Sequence, residues 1–454
     1  MSTYLGSGKS IEIHSEEDLY GYFEKFAKPQ ECMRVGLEAE FFPVYRQTGK
    51  ALPYEGNVGV LAILKTLSRH FGYAPIMEES VIVALKKGDS YITLEPGGQI
   101  ELSAPPVKTI FEVQGLLDAF LADLKRIEEY FPEAAFLAFG IQPFSSVDDI
   151  SLVPKKRYRL MADYLGSRGA LAHHMMKLTA TNQINFDYLS EKHAMESLRV
   201  VLGISPIVSA MFANACFSEG QPNGFLSKRQ EIWRHTDADR SGIPECFLAE
   251  NVSFRDYVEY LLKMPVMFIV RDDQWQSLNG ISFREFISRG FEGTRATLAD
   301  FELHLSTAFP EARLKQYLEI RGIDGQQTGM IPAVAAFWKG ILYSREAREK
   351  AWALVADASS ESRRRLFAEV PKTGLNATYH EKPLWNYAEE LVSLSCESLA
   401  RQVTVDETRT ECLFLQKIMR ELLEPRLSPA EQFLKKWETV WDKKPSNVIE
   451  ALRI

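Results

Sequence analysis

Apolar and polar residues alternate along four segments of the chain, which are residues 36–41, 91–103, 179–187 and 317–321. In the first segment Leu37, Ala39 and Phe41 point to one side of the chain, whereas Glu38 and Glu40 point to the other. A period of two residues is typical of a β-strand with one buried face. The second segment carries Pro-Gly-Gly at its middle, which predicts a hairpin. The four segments therefore predict strands with one apolar and one polar face.

The polar faces of these strands are rich in carboxylates, namely Glu38, Glu40, Glu95, Glu101 and Glu319. If the strands join one antiparallel sheet, their polar faces line a common concavity. Arg321 is the only cation that the pattern adds to the five acids, so we expect a local charge of about −4. Crowded carboxylates repel each other unless cations compensate, and all-oxygen ligands favour Mg²⁺ or Mn²⁺ over zinc. The alternative is an exposed sheet face with solvated glutamates.

Helical periodicity is clearest in residues 110–130, where the apolar residues fall on one stripe. Ser428 and Glu431 form a capping-box pattern with proline at the first helical position, which predicts a helix over residues 429–441. Two further helices are predicted, at residues 15–27 and 384–402. These helices are expected to form the scaffold that covers the sheet.

One stretch without charges, residues 200–217, has 18 residues and approaches the length of a membrane span. It contains Pro206 near its middle, together with glycine, serine and asparagine residues. This composition favours a buried core helix over a membrane-spanning helix. We therefore expect no membrane partner.

The chain has 454 residues, of which 46% are hydrophobic and 25% charged, and this composition indicates a globular protein with a sizeable core. Its net charge of −8 argues against a nucleic acid partner. No linker composition or internal repeat divides the sequence. We predict a single domain over residues 1–454, with a helical C-terminal part from about residue 380.

The five cysteines, Cys32, Cys216, Cys246, Cys396 and Cys412, show no C-x-x-C spacing. This pattern predicts neither a zinc ribbon nor a disulfide framework, and it indicates a reducing compartment. The N-terminus lacks a basic region followed by an apolar run, which argues against a signal peptide. We therefore expect a cytoplasmic protein that is a monomer or a homodimer.

Motifs for nucleotide binding and nucleophilic catalysis are incomplete or missing from the sequence. Residues 6–10 resemble the end of a P-loop, but Thr3 stands where the first glycine belongs. No G-x-S-x-G elbow or H-E-x-x-H helix occurs. A cluster of acids without a nucleophile suits phosphoryl transfer, in which catalysis is mainly positioning and charge neutralisation. A two-metal hydrolase that acts on a phosphoester is a further reading of the same acids.

Several longer motifs have counterparts in one enzyme family. Residues 94–103 (LEPGGQIELS) look like its signature strand pair, and residues 153–158 (VPKKRY) look like its basic MPKGRY stretch. Residues 317–322 (YLEIRG) are similar to its YMEMRG segment, and residues 222–242 keep its order of PNG, IW and TD motifs. The match runs from about residue 10 to about residue 440. On these motifs the chain resembles the glutamate–cysteine ligases of the plant and proteobacterial type.

The resemblance implies an α+β fold like the catalytic domain of glutamine synthetase, in which a curved antiparallel β-sheet forms a funnel covered by helices. It also implies a reaction with ATP as co-substrate. ATP phosphorylates the γ-carboxylate of glutamate, and the amine of cysteine then attacks the γ-glutamyl phosphate. The product is γ-glutamylcysteine, and the reaction is the first step of glutathione synthesis.

The resemblance further implies roles for individual residues. The five glutamates named above would hold Mg²⁺ or Mn²⁺, and Arg321 would stabilise the transferring phosphoryl group. Lys155 and Arg157 would face the nucleotide phosphates, although an ordinary solvated turn is the alternative for both. Arg229 would bind the α-carboxylate of glutamate, because a guanidinium pairs with a carboxylate in a bidentate manner. The wall and floor of the substrate pocket would be formed by Trp233, Thr179, Thr181 and Gln183.

The chain departs from the family pattern in four places. Leu37, Ala39 and Phe41 stand where the family has threonine, histidine and lysine, residues 325–329 replace a Gly/Trp/Arg-rich stretch, and Arg234 and His235 replace another pair of the family pattern. These three changes leave open a ligase of the same fold that uses another amine. Gln114 stands at the position of a regulatory cysteine of the plant enzymes. We therefore predict no disulfide redox switch.

Overall fold

The computed structural model describes residues 11–278, 280–402 and 410–454, so the P-loop-like motif at residues 6–10 lies outside the described residues. Within this part of the chain, nine strands form one antiparallel sheet. The strands are β1 (Val35–Tyr45), β2 (Ala74–Glu78), β3 (Val81–Lys87), β4 (Ser90–Leu94), β5 (Ile100–Ser103), β6 (Ala134–Leu137), β7 (Asn182–Phe186), β8 (Ala312–Leu314) and β9 (Leu318–Ile320).

The strand order is β8-β9-β7-β1-β5-β4-β3-β2, with β6 paired to the end of β1. All four alternating segments therefore lie in one sheet, and they occupy adjacent positions within it. The register places Glu38 opposite Gln183 on β7, and it places Glu40 opposite Glu101 on β5. Glu319 lies opposite Asn185. The sequence prediction of a shared antiparallel sheet with acids on neighbouring strands is confirmed.

The described residues contain seventeen α-helices: α1 (Glu17–Tyr20), α2 (Val60–His70), α3 (Ile110–Tyr130), α4 (Lys156–Gly166), α5 (Ala172–Leu178), α6 (Glu191–Met211), α7 (Lys228–Arg234), α8 (Phe254–Lys263), α9 (Phe283–Arg289), α10 (Leu298–Leu305), α11 (Ile331–Leu342), α12 (Arg345–Ala353), α13 (Ser360–Thr373), α14 (Leu384–Arg401), α15 (Cys412–Ile418), α16 (Pro429–Thr439) and α17 (Pro445–Leu452). Together with the antiparallel sheet they confirm the α+β fold class.

Helices α3 and α11 cover the apolar face of the sheet. Leu37, Ala39 and Phe41 are buried on this face, and the rings of Phe41 and Phe120 lie 5.9 Å apart. The three positions at which the chain departs from the family pattern on β1 therefore belong to the core. Their side chains point away from the face that carries Glu38 and Glu40.

Capping signals set the ends of the predicted helices. Thr109 and Glu112 form a reciprocal capping box at the start of α3, which spans the predicted residues. Ser428 and Glu431 do the same for α16, where proline stands at the first helical position. Helix α14 likewise coincides with its prediction.

Helix α6 is long and apolar enough to cross a membrane, but 89% of its apolar window is buried inside the protein. Pro206 lies within it, as the sequence suggested. The interpretation as a core helix is confirmed, although the helix begins at Glu191 and ends at Met211 rather than covering residues 200–217. It packs against the strands β8 and β9.

Two expectations from the sequence are wrong. The predicted helix over residues 15–27 is broken into α1 and a single 3₁₀ turn at Glu24–Phe26, because the chain leaves the helical path at Gly21. Cys396 at the end of α14 and Cys412 at the start of α15 form a disulfide, which the scattered cysteine pattern did not predict. The organisation as a single domain stays a prediction.

Candidate active site

The polar faces of the central strands line one pocket, to which helices α4, α5 and α7 also contribute. Most of the predicted site residues meet there: Glu38, Glu40, Glu95, Glu101, Arg157, Thr179, Thr181, Gln183, Arg229, Trp233 and Arg321. Lys155 and Glu319 are buried beside the pocket but do not line it. The alternative of an exposed, solvated sheet face is excluded, because Glu38, Glu40 and Glu101 are at most 6% exposed.

Glu40 lines the pocket and accepts two hydrogen bonds from the neighbouring segment of the chain. The backbone N–H of Thr181 donates to its Oε2 at 2.9 Å, and the Gln183 amide donates to its Oε1 at 3.4 Å. Burial, together with the nearby charges of Glu95 and Glu101, raises the pKa of Glu40 well above its usual value. The opposing attraction of Arg229 is too weak to offset these effects.

Glu101 faces Glu40 across the β1–β5 pair. Its Oε1 accepts hydrogen bonds from the hydroxyls of Thr93 and Ser103, which orient the carboxylate within the site. Burial and the charges of Glu38 and Glu95 raise the pKa of Glu101 to about 7. The acids on the central strands therefore crowd each other, as the alternating pattern predicted.

Glu319 has a different environment from the other acids. Arg313 donates to its Oε2 at 2.6 Å, Lys315 contacts its Oε1 at 3.1 Å, and Arg321 contacts its Oε2 at 3.1 Å. Burial alone would raise the pKa of Glu319, but these three cations hold it well below its usual value. The expectation that Arg321 is the only cation among the acids is wrong, because Arg313 and Lys315 come from the adjacent strand β8 and the turn after it.

Arg321 connects the acid cluster to the pocket wall. Its Nη1 donates to the Gln183 Oε1 at 2.6 Å, and Gln183 in turn reaches Glu40. The guanidinium lies over the rings of Trp233 and Phe309, at 5.8 and 5.7 Å from their centroids. The planar group is thus held in a fixed orientation at the pocket surface.

Arg229 lies on helix α7 and lines the pocket from that side; its side chain is 3% exposed. Its Nη2 donates to the backbone oxygen of Arg321 at 2.8 Å, and its Nη1 lies 3.9 Å from Asp324. Asp324 also accepts from the hydroxyl of Ser227, the N-cap of α7, at 2.8 Å. Since Asp324 contacts both the helix N-cap and the guanidinium, it fixes how α7 presents Arg229.

Lys155 and Arg157 reach the site differently from each other. The Nζ of Lys155 donates to the backbone oxygen of Leu94 at 2.9 Å, and burial lowers the pKa of this ammonium to about 8. Arg157 is buried but lines the pocket, and burial lowers its pKa as well. Neither residue lies in a solvated turn, so that alternative is excluded. Lys155 supports the end of β4 next to Glu95.

The threonine side chains predicted to form the floor of the substrate pocket make hydrogen bonds to backbone atoms of the protein. The Thr179 hydroxyl donates to the backbone oxygen of Met175 at 2.7 Å, and the Thr181 hydroxyl donates to the backbone oxygen of Ile323. Gly97 permits the close approach of the β4–β5 turn to this floor, because an added Cβ would lie 2.3 Å from the backbone oxygen of Lys177. The floor is therefore preorganised by contacts that do not involve a ligand.

Several lining residues were not predicted from the sequence: Met161, Met175, Met176, Ser306, Phe309 and Arg313. Most come from helices or connections without a polar pattern, and no local signal marks them. Arg313 is the exception. Residues 312–315 read Ala-Arg-Leu-Lys, which continues the period-two alternation directly before residues 317–321. That pattern could have identified Arg313 and Lys315, the two cations that contact Glu319 in addition to Arg321.

The chemistry of the acids fits a divalent cation. Glu40 and Glu101 are buried carboxylates whose pKa values are raised by their acidic neighbours, and a hard cation with oxygen preference would relieve that repulsion. Among the described residues, no group of three or more His, Cys, Asp or Glu side chains is placed so that it could hold a metal ion. Glu319 fits less well, because its oxygens already contact three cationic side chains.

Comparisons with known proteins identify the family of the chain. Residues 34–451 match the profile of Glutamate-cysteine ligase family 2 (GCS2). The chain is 36% identical over 441 residues to glutamate–cysteine ligase B, chloroplastic, of Oryza sativa subsp. japonica. The aligned region covers 96% of this chain and 87% of the rice protein. The chain is 35% identical over 446 residues to the chloroplastic glutamate–cysteine ligase of Solanum lycopersicum, covering 98% and 83% of the two chains.

The plant relatives correct one expectation. The names of these relatives place them in the chloroplast and not in the cytoplasm. The prediction of a cytoplasmic protein is therefore wrong by this comparison. That prediction rested on the cysteine pattern and on the lack of a secretory signal pattern, and neither distinguishes the cytoplasm from the interior of an organelle.

Solved structures show the fold. Glutamate–cysteine ligase from Francisella tularensis in complex with AMP superimposes with a TM-score of 0.55 at 12% identity, covering 92% of this chain and 87% of that one. A bifunctional glutathione synthetase from Pasteurella multocida gives a TM-score of 0.53 at 13% identity, covering 96% and 53%. The fold is thus that of a carboxylate–amine ligase. With the profile match across residues 34–451, the chain belongs to glutamate–cysteine ligase family 2.

Proposed function

We propose that this protein joins the γ-carboxylate of glutamate to the amine of cysteine with consumption of ATP. The observation that carries the proposal is one pocket in which buried carboxylates of adjacent strands face Arg229 and Arg321. The acids supply a site for cations that accompany ATP, and the guanidiniums supply sites for anionic substrate groups. A ligase that activates a carboxylate with ATP needs both halves in the same place.

Arg229 binds the α-carboxylate of glutamate. Its Nε is buried and makes no hydrogen bond among the described residues, so part of the fork is available to a carboxylate. Asp324 and the backbone oxygen of Arg321 hold the other nitrogens and keep the group from rotating. With the α-carboxylate fixed there, the γ-carboxylate extends toward the acid cluster.

Arg321 and Arg157 stabilise the charge on the transferring phosphoryl group. Both line the pocket, and the rings of Trp233 and Phe309 fix the orientation of Arg321. Mg²⁺ or Mn²⁺, when held by Glu40, Glu95 and Glu101, would neutralise phosphate charge during the transfer. Glu319 contributes by holding Arg321 and Arg313, and its predicted role as a metal ligand would require the release of these contacts.

Cysteine is the favoured acceptor because the departures from the family pattern lie outside the pocket lining. Leu37, Ala39 and Phe41 pack in the core. In the stretch 325–329, Gln326 is buried and its amide donates to the backbone oxygen of Phe212 at 2.7 Å. Neither change alters a group that faces the acid cluster, which supports the family reaction over a ligase with another amine.

The test is release of ADP with glutamate and a panel of amines, with mass detection of the product. We expect cysteine to give the highest kcat/KM and a product with the mass of γ-glutamylcysteine. If another amine exceeds cysteine, the acceptor assignment is wrong while the ligase chemistry stands. Turnover of a phosphoester in Mg²⁺ without ATP or glutamate would instead indicate the two-metal hydrolase.

A further inference from the structure

A second cavity of about 680 Å³ lies among helices α3, α11, α12 and α14. It shares no lining residue with the candidate active site. Its volume falls within the range of roughly 300–1,000 Å³ that is typical of small-molecule sites. The proposed ligase reaction makes no use of it.

The lining of this second cavity is strongly basic in a chain whose net charge is −8. Its charged residues are Lys108, Lys339, Arg345, Arg348, Arg401 and Glu411. The lining thus carries five cations and one carboxylate, while carboxylates outside the lining pair with Arg345, Arg348 and Arg401. His193 is held neutral because burial lowers its pKa to about 4. Like charges that converge on a concave surface repel each other, and a bound anion would relieve that repulsion.

Two of these cations belong to the wall of the protein and not to a mobile rim. Lys339 is 8% exposed and is held by Glu411 at 2.6 Å and by the backbone oxygen of Lys108 at 2.9 Å. Arg348 is 7% exposed; its Nη1 donates to the backbone oxygen of Leu342 at 2.6 Å, and its Nη2 lies 3.7 Å from the Glu196 carboxylate. Its buried Nε makes no hydrogen bond among the described residues. A buried donor without a partner costs free energy, which a ligand acceptor would recover.

The remaining cations lie at the mouth and are available to a ligand. Arg345 pairs with Glu349 at 2.7 Å and Arg401 pairs with Glu346 at 2.6 Å, but all four side chains are more than half exposed. Exposed pairs of this kind contribute only about 0–1 kcal/mol, so a multiply charged anion can compete for the guanidiniums. Lys108 is exposed and has no carboxylate partner among the described residues.

We propose that this cavity is a binding site for a small organic anion with at least two negative charges. Its anionic groups, carboxylates or phosphates, would contact Arg348 inside and Lys108 and Arg345 at the mouth. Phe111 and Leu399 supply apolar surface for the organic part of the ligand. The concave shape and mixed lining favour a small molecule over an extended polyanion.

The experiment uses the whole protein and isothermal titration with citrate in one arm and inorganic pyrophosphate in the other. The buffer contains about 150 mM monovalent salt, so that diffuse electrostatics are screened, and no divalent cations, because the probes would chelate them. The test variant is Lys108→Gln with Arg345→Gln. Both side chains are exposed, so the variant is expected to fold and to keep its ligase turnover.

We expect at least one probe to bind saturably and the double variant to bind it at least tenfold more weakly. The control is Lys65→Gln with Arg289→Gln, which removes the same charge from exposed positions; Arg289 pairs with Glu285 as Arg345 pairs with Glu349. The control should change the affinity less than twofold. The tighter arm identifies the ligand as a carboxylate or a phosphate. The proposal is overturned if neither probe binds, if the double variant binds as tightly as the natural protein, or if the control weakens binding equally.

Discussion

Individual acids in the candidate site have opposite energetic roles although they share one sheet face. Glu101 is surrounded by other acids, whereas Glu319 contacts Arg313, Lys315 and Arg321. The alternating sequence pattern identified both carboxylates but could not distinguish them, because their environments depend on which strands become neighbours. Substitution of each glutamate by glutamine should separate the two roles.

For Glu319→Gln we expect a loss of stability by about 3–5 kcal/mol, because removal of one partner leaves buried cations without compensation. Turnover should also fall strongly, since Arg321 loses a contact that positions it. The measurement is urea unfolding, with Glu129→Gln on the exposed surface of α3 as the control. A stability equal to that of the control would mean that the three cations do not depend on Glu319.

For Glu101→Gln we expect a gain of stability at high pH, in contrast to the loss expected for Glu319→Gln. Because the pKa of Glu101 is raised to about 7, its charged form costs the folded state free energy above that pH. Below about pH 4.5 the carboxyl is protonated in both folded and unfolded chains, and the difference vanishes. Without divalent cations, the unfolding free energy of the variant should therefore be about 1–3 kcal/mol higher than that of the natural protein at pH 8. Near pH 4 the two unfolding free energies should be equal.

The pH dependence of the difference in unfolding free energy between the two proteins checks this expectation. A difference that is constant from pH 4 to pH 8 would show that crowding does not perturb Glu101. The conserved acceptor geometry of glutamine toward Thr93 and Ser103 keeps the local hydrogen bonds comparable.

At the scale of elements, prediction succeeded where local signals are strong. Helices α3, α14 and α16 follow from periodicity and capping, and five of the nine strands, β1, β4, β5, β7 and β9, follow from alternation. Prediction failed at residues 15–27, where one helix was expected but the chain forms a short helix and a 3₁₀ turn on either side of Gly21. It also missed the pocket residues Met161 of α4 and Met175 and Met176 of α5, because their side chains reach the site only through long-range packing.

The disulfide between Cys396 and Cys412 links the last two turns of α14 to the first residue of α15. The two cysteines are 16 residues apart in the sequence. Closing a loop of this length stabilises a protein by about 3 kcal/mol, mainly by restricting the unfolded chain. We expect Cys396→Ser to lose about 2–4 kcal/mol under oxidising conditions. The loss is measured by thermal or urea unfolding.

The matched control is Cys246→Ser, which changes a free cysteine on the surface. A reductant should lower the stability of the natural protein to that of Cys396→Ser and leave the variant unchanged. If Cys396→Ser and Cys246→Ser have equal stability in oxidising buffer, the disulfide does not stabilise the fold. The pairing was not predictable from the sequence, because the two cysteines become neighbours only when the two helices pack.

For the whole molecule, the distribution of charge matters more than its total of −8. Acids concentrate on one face of the sheet, and cations concentrate in the cavity among the helices on the other side of the fold. The expectation that nucleic acid is not a partner rested on this total charge and stays a prediction. The total charge gave no sign of the second, basic cavity, since its residues come from five separate parts of the sequence.

The acid cluster predicts that Mg²⁺ stabilises the whole protein even without substrates. A ligand that binds only the folded state adds RT ln(1 + [L]/Kd), or about 2.7 kcal/mol at a hundredfold excess over Kd. We expect Mg²⁺ to raise the Tm of the natural protein at pH 8, and to leave that of Glu40→Gln with Glu101→Gln nearly unchanged. The exposed pair Glu55→Gln with Glu129→Gln serves as the control and should respond like the natural protein.

The double variant Glu40→Gln with Glu101→Gln changes stability in two opposite ways. It removes the repulsion between carboxylates, which stabilises the fold, and it removes the cation site, which prevents stabilisation by Mg²⁺. Without Mg²⁺ it should be more stable than the natural protein, since it lacks the repulsion that raises the pKa values of Glu40 and Glu101. With Mg²⁺ the order should reverse, because only the natural protein gains from the cation. An equal rise in Tm for both proteins would place the cation elsewhere and remove these glutamates from the proposed metal site.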